Sequence, residues 1–243
     1  MQQEKVVIFG KHAAVAAIKN PERNILSIFI AREKKAVYLP LLERSRLPNI
    51  SFCENTQIAK ICGRDALHQG IAVVTEKLSQ PELRDVLKST SKRSLVIILD
   101  SITDPFNIGN ILRSSKAFGV DALVVKERHS PSETSVIAKT ASGALESIPV
   151  CTIANLTNAV KILQENGYFC YALDGGARSK LTEIRFPNKV AFVLGSEGKG
   201  ISHLLKTRCD QTLSIPMYSD KNFDSINVSN AAAIAMFRFY SAE

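Results

Sequence analysis

Three short stretches carry glycine, amide or charged side chains at spacings that suit a binding site. The first is Asp104-Pro-Phe-Asn107-Ile-Gly109, with Arg113 six residues beyond the asparagine. Asp104-Pro105 breaks a strand, and Asn107 can cap the helix that follows. Asn107 and Arg113 could both face the loop, or they could be a structural cap and a solvated arginine; spacing leaves both open. The second stretch is Leu194-Gly195-Ser-Glu197-Gly198-Lys-Gly200. It is not a phosphate loop, because Val193 stands where the first glycine is required and Gly200 replaces the hydroxyl residue. Glu197 would also place an anion where phosphate should sit. The loop suits a ligand that carries positive charge, or one approached by backbone. The third runs from Ile215-Pro-Met217 through a polar stretch to Ser225-Ile226-Asn227, ahead of Ala231-Ala-Ala-Ile-Ala235.

The elements that must position these loops follow from hydrophobic pattern. Leu95–Asp100 is a fully apolar strand, Ile108–Phe118 a helix ended by Gly119, and Ala122–Val125 another strand. Helices near 133–142, 156–166, 200–206 and 227–240 alternate with strands near 148–153, 168–173, 190–194 and 212–215. Strands without polar alternation, each followed by a helix, predict an α/β fold with a parallel sheet covered on both faces. Ligands collect at the carboxyl ends of such strands, which directs attention to the loops after residues 99, 194 and 215. The first 76 residues read as a smaller α/β unit: a buried helix within Val6–Ile18, a strand at Ile25–Ile30, helices at Leu39–Arg46 and Asn55–Gly63, and strands at Ile50–Phe52 and Gly70–Thr75. Residues 77–93, with Pro81 and a Ser/Thr cluster, read as a connector with room for a short helix. The expected division is 1–76, linker 77–93, and 94–243.

Charge is uneven. Residues 1–93 carry 16 Lys+Arg and 9 Asp+Glu, or +7, whereas residues 94–243 carry 15 and 14, or +1. A basic first part beside a near-neutral second part suits one domain that grips a polyanion. Candidate contacts, chosen by residue type, are Lys11, Arg32, Lys34, Lys35, Arg64 and His68. The five cysteines and four histidines are scattered with no C-x-x-C pair, so no metal site is expected and the thiols read as buried and reduced. No apolar run is long enough for a membrane span, and the amino end lacks an export-signal core. A cytoplasmic protein is expected.

Together the three loops resemble the SpoU (TrmH) family of S-adenosylmethionine-dependent RNA 2′-O-methyltransferases. The resemblance rests on Asp104-Pro-x-Asn107-x-Gly109 with Arg113, Leu194-Gly-x-Glu197-Gly-x-Gly200, and Ile215-Pro-Met with Ser225-Ile-Asn227-Val-Ser229. Ala141-Ser-Gly-Ala-Leu-Glu146-Ser-Ile-Pro149 also looks like the family. At the amino end, Phe9-Gly-x-His12-Ala-Ala-Val15 and His68-Gln-Gly-Ile-Ala-Val-Val74 are similar to the ribosomal-protein-like substrate-binding domain of RlmB-type members, which methylate a guanosine of 23S rRNA. The resemblance implies a SPOUT domain with a deep trefoil knot, a homodimer, S-adenosylmethionine as cofactor and RNA as partner. It assigns Arg113 to the ribose 2′-hydroxyl, either as base or as cation. Asn107, Glu197, Ser225 and Asn227 complete the catalytic shell, and Leu194, Gly195, Ile215, Met217 and Ile226 contact the cofactor. One departure stands out: the nine residues Tyr218–Ile226 make a loop about two residues longer than the family's pattern. A tRNA ribose methyltransferase and a non-catalytic RNA-binding assembly factor are the competing readings. The amino-terminal domain argues against the first, and the retained polar residues argue against the second.

Overall fold

A computed structural model describes residues 4–42, 49–127, 133–218 and 225–242. The chain forms two compact units, Met1–Ser79 with Ser132–Ser147, and Gln80–Pro131 with Ile148–Glu243.

The first unit is built on four strands: β1 (Lys5–Phe9), β2 (Ile25–Ala31), β3 (Ile50–Cys53) and β4 (Ile71–Glu76). Their order is β1-β4-β2-β3; β4 runs antiparallel to both neighbours, and β2 and β3 are parallel. The helix expected within the stretch Val6–Ile18 forms in its second part, and the first part is a strand. The stretch divides at Gly10 (φ 84) into β1 and helix α1 (Lys11–Lys19), because the β-branched Val6-Val7-Ile8 run favours extended backbone and the alanines favour helix. Helix α2 covers Lys35–Leu42 rather than Leu39–Arg46, and residues 43–46 of that expectation lie outside the described residues. With α1, α2 buries Ile18, Ile28, Ile30, Tyr38, Ile71 and Val73 on one sheet face. Helix α3 (Asn55–Cys62) packs its Ile58 with Phe9, Ala31 and Ala72 on the other.

This unit also takes in a segment from much later in the chain. Thr134 caps a short helix, α6 (Ser135–Thr140), through Ile137 N (3.2 Å), and a 3-10 turn at Ala144–Glu146 follows. Glu133 and Glu146 from this segment close on Arg23, whose side chain is fully buried, at 2.7 Å each. Arg23 also donates to Glu76 O (3.0 Å), and Asn20 Nδ2 donates to Glu146 Oε2 (2.8 Å). Burial works against the guanidinium charge, but hydrogen bonding and attraction from Glu146 and Glu133 outweigh it and hold the pKa above its usual value. The Ala141–Glu146 stretch that reads in sequence as part of the second domain therefore packs in the first unit.

The second unit is a seven-stranded, wholly parallel sheet. Its strands are β5 (Ser94–Asp100), β6 (Ala122–Lys126), β7 (Val150–Ile153), β8 (Phe169–Leu173), β9 (Ser179–Lys180), β10 (Lys189–Gly195) and β11 (Gln211–Ser214). They lie in the order β7-β6-β5-β10-β8-β11-β9. The short helix expected within residues 77–93 forms as α4 (Leu83–Lys88), and it turns Leu83 and Leu87 into this unit's core, since residues four apart share a helix face. They pack with Val96, Ile98, Val124, Ala191 and Val193. Helices α7 (Leu156–Glu165) and α8 (His203–Arg208) cover the same face. The alternate strand residues face the other side, where Phe192 meets Phe186, which in turn meets Phe239 of helix α9 (Val228–Tyr240). Helix α9 packs on α5 (Pro105–Ala117), with Ala232, Ala235 and Met236 fully buried. No helix among the described residues is long and apolar enough to cross a membrane.

Candidate functional site

β10 lies between β5 and β8, so the loops that leave β5 and β10 emerge side by side at the carboxyl end of the sheet. The helix cap expected at Asn107 belongs instead to Asp104, whose side chain accepts from Phe106 N at 3.1 Å. Pro105 fills the first helical position, where its missing N–H leaves no orphan donor. Asn107 is thereby free for a longer-range contact, and its Oδ1 accepts a hydrogen bond from Asn227 Nδ2 at 2.9 Å.

Asn227 is the hinge of the arrangement. It caps α9 by accepting from Ser229 N (2.9 Å) and Ser229 Oγ (2.6 Å), and Nδ2 donates to Glu197 Oε1 (2.8 Å) as well as to Asn107. All four hydrogen-bonding sites of one amide are used. Glu197 Oε1 also accepts from Val228 N at 3.3 Å, so its carboxylate sits on the amino terminus of α9, where a negative charge is favoured. The three motifs, 120 residues apart at their extremes, meet through a single amide group. Asn107 Nδ2 and the second oxygen of Glu197 make no hydrogen bond among the described residues, which leaves a donor and an acceptor for a ligand.

The glycine-rich loop owes its shape to Gly195. A Cβ there would fall 2.1 Å from Gly200 C and 2.3 Å from Ile201 N, so only glycine lets the chain fold back onto its own strand. Gly200 N donates to Ser196 O at 2.8 Å and closes the turn. Asp100, buried at the end of β5, accepts from Ser202 N at 2.8 Å and pins the far side of that loop to the neighbouring strand. Sequence reasoning missed Asp100; its signal is one carboxylate ending an otherwise apolar strand. It uses residues 200–202 for the turn, which is why α8 begins at His203 rather than near 200.

The other expected site residues are placed unequally. Leu194 is buried, Ile215 and Ile226 are half-buried, and Met217 is 37 % exposed. Leu194 and Ile215 lie at the same carboxyl end of the parallel sheet as Glu197, and apolar surface there together with a carboxylate suits a donor that combines apolar surface with a cationic centre. Ser225 is exposed and makes no hydrogen bond among the described residues; residues 219–224 of the long loop lie outside them. Arg113 does not join the cluster. α5 takes in both Asn107 and Arg113, and six helical residues set them about 120° apart around the axis. Arg113 is exposed, with neither hydrogen bond nor ion pair among the described residues.

In the first unit, Lys11, Lys34, Lys35 and Arg64 are exposed. Arg32 pairs with Glu54 at 3.2 Å, Lys35 lies over the Phe52 ring at 4.9 Å, and His68 Nδ1 accepts from Gly70 N at 3.1 Å. Burial pushes the Cys62 and Cys151 thiols up to about 11 and, with the adjacent Asp210, Cys209 to about 12. All five cysteines are unpaired. No group of three His, Cys, Asp or Glu side chains placed to hold a metal ion occurs among the described residues.

Residues 94–237 match the SpoU rRNA Methylase family. The chain belongs to that family. Residues 7–81 match the RNA 2′-O ribose methyltransferase substrate-binding domain, as the amino-terminal motifs imply. A 23S rRNA (guanosine-2′-O-)-methyltransferase RlmB from Xanthomonas campestris is 32 % identical over 242 residues, covering 98 % of this chain and 96 % of that protein. A Staphylococcus saprophyticus protein named for the TrmH family of tRNA/rRNA methyltransferases is 32 % identical over 241 residues, covering 98 % and 96 %. Among solved structures, the SpoU methyltransferase AviRb from Streptomyces viridochromogenes, crystallised with AdoMet, superposes with a TM-score of 0.82 at 19 % identity, over 97 % of this chain and 89 % of that one. The SpoU fold, with its parallel sheet, is thus shared across the second unit.

Proposed function

We propose that this protein transfers a methyl group from S-adenosylmethionine to the 2′-hydroxyl of a guanosine ribose in 23S rRNA, and that it does so in the cytoplasm as a homodimer. The observation that carries the reading is the meeting of Asn107, Glu197 and Asn227 at adjacent strand ends, in a SpoU-family chain that retains Arg113. Near full-length similarity to a 23S rRNA guanosine methyltransferase, amino-terminal domain included, favours rRNA over tRNA. The insertion of β10 between β5 and β8, with the following chain returning to Glu197, is in keeping with the family's knotted carboxy-terminal segment.

The donor, when bound, supplies a methyl group already activated on a sulfonium centre. The protein's task is then to position the groups and accommodate charge. Leu194, Gly195, Ile215, Met217 and Ile226 offer backbone and apolar surface for the donor, and Glu197 provides a negative charge suited to its cationic centre. Asn227 fixes the orientation of Glu197 and Asn107, whose free Nδ2 can hold a ribose or donor oxygen. An arginine acting as base must shed about five pK units, about 7 kcal/mol, through burial and neighbouring charge. Arg113 is exposed, and a cationic guanidinium there grips the target phosphate and stabilises the alkoxide while the hydroxyl proton passes to solvent water. Lys11, Arg32, Lys34, Lys35, Arg64 and His68 hold flanking RNA.

The test is incubation with methyl-labelled cofactor and unmodified 23S rRNA or unmodified tRNA, with nuclease mapping of the product. The expected outcome is one 2′-O-methylguanosine in 23S rRNA. Label on tRNA would favour the alternative substrate, and label on a base nitrogen would refute the hydroxyl chemistry.

A further inference from the structure

Lys139 lies in the late segment that packs in the first unit, and it differs from the cations that sequence alone singles out. It is half-buried, yet its ammonium has no carboxylate within ion-pair distance among the described residues. Its contacts are Gln69 Oε1 at 3.3 Å and the Phe9 ring at 5.9 Å. A Cβ on Gly10 would fall 2.1 Å from Nζ, so the ammonium rests against the Gly10 backbone at the start of α1. Burial draws its pKa down, as expected for a cation that has lost water and gained no anion. Arg23, the deeply buried cation of the same unit, instead holds two carboxylates.

The loop beneath Lys139 is held under strain. Gln69 adopts the left-handed region (φ 57), which costs a non-glycine residue about 1 kcal/mol or more and persists only where surroundings enforce it. Three bonds enforce it here: the buried Tyr38 hydroxyl donates to Gln69 O (2.7 Å), Lys11 N donates to Gln69 Oε1 (2.9 Å), and Gly70 N donates to His68 Nδ1 (3.1 Å). The Gln69 side-chain oxygen thus accepts from the Lys139 ammonium and from the backbone N–H of Lys11 at the start of α1. Lys34 lies on Gly70, where a Cβ would meet its Cγ at 2.7 Å. Three lysines thus touch this loop, Lys139 through its ammonium, Lys34 through its stem and Lys11 through its backbone, and none of them is bonded to an acidic side chain among the described residues.

We propose that Lys139, with Lys11 and Lys34 about Gln69, forms a phosphodiester-binding site for the RNA substrate. It rests on the reading above that the substrate is RNA, and it adds a contact contributed by the second half of the sequence. Lys139→Met keeps the apolar stem against Phe9 and removes the charge; Lys139→Arg keeps the charge. Affinity for unmodified 23S rRNA is measured by filter binding from 50 to 200 mM salt, with cofactor calorimetry and the melting temperature as controls. Loss of one phosphate contact reduces the log–log salt slope by about 0.7–0.9 and weakens binding about fivefold at 0.1 M salt. Lys139→Met is expected to show both changes with cofactor binding and melting temperature retained, and Lys139→Arg to restore them. An unchanged affinity and slope in Lys139→Met overturns the proposal. So does weaker binding that follows a lower melting temperature with no change of slope, since Lys139 would then act only through packing. If the wild-type protein binds cofactor but not 23S rRNA, the substrate reading itself fails and this site falls with it.

Discussion

Replacing Asn227 by Asp is a near-isosteric change that separates the amide's two jobs. The acceptor bonds from Ser229 survive, but both donor bonds, to Asn107 at 2.9 Å and Glu197 at 2.8 Å, are lost. Each is worth about 1 kcal/mol. The new carboxylate also faces Glu197 at hydrogen-bond distance, a repulsion of about 1.5 kcal/mol even at the dielectric of water. A further anion at the amino terminus of α9 returns about 0.5 kcal/mol. The net cost is about 3 kcal/mol, or a fall of roughly 6–12 °C in melting temperature for a chain of this size. The pH dependence tests the cause. In Asn227→Asp the mutual repulsion of the facing carboxylates opposes their ionisation in the folded state, so the repulsive part of the cost is full at neutral pH and vanishes as pH falls below about 4. Melting curves of wild type and Asn227→Asp from pH 8 to pH 4 should therefore converge toward the acid end. Adding Glu197→Gln removes one charge, supplies a donor, and should recover most of the loss at pH 8. A gap that stays constant with pH, together with no recovery in the double variant, would falsify the view that this amide links the loops.

Gly195→Ala forces a Cβ against the backbone of Gly200 and Ile201, an overpacking of about 1–3 kcal/mol, and should reduce S-adenosylmethionine affinity by calorimetry at least tenfold. Arg113→Ala should lower the single-turnover methyl-transfer rate about 100-fold with a melting temperature within about 2 °C of wild type, because the side chain is exposed and unpaired, and Arg113→Lys should restore much of the rate. Arg23→Met leaves Glu133 and Glu146 buried without their cation and should destabilise the first unit by about 3–5 kcal/mol, read by amide hydrogen exchange in residues 4–42. The thiols should react slowly with a disulfide reagent at pH 7.5, at a rate that climbs with pH up to about 10 without levelling, because burial holds Cys62 and Cys151 at about 11 and Cys209 at about 12.

Much of this protein can be read from local sequence. Uninterrupted apolar runs such as Leu95–Leu99 and Ala191–Leu194 mark buried parallel strands, and the loops after them hold the polar residues of the site. The Asp-Pro break and the glycines of 195–200 act within a few residues, so their effect is legible there. Tertiary structure decided what depends on partners remote in sequence. Asn107 is a cap by its neighbours, yet α9, more than a hundred residues later, turns it into an acceptor for Asn227. Residues 132–147 follow the strand pattern of the second half, but Arg23 needs their carboxylates, and a buried guanidinium without counter-charges costs too much to leave unpaired. The grouping of Lys139 with Gln69 and Lys11 likewise arises only once that segment has joined the first unit. Pattern along a chain reports which residues must leave water; it says nothing of which distant charge or amide will satisfy them.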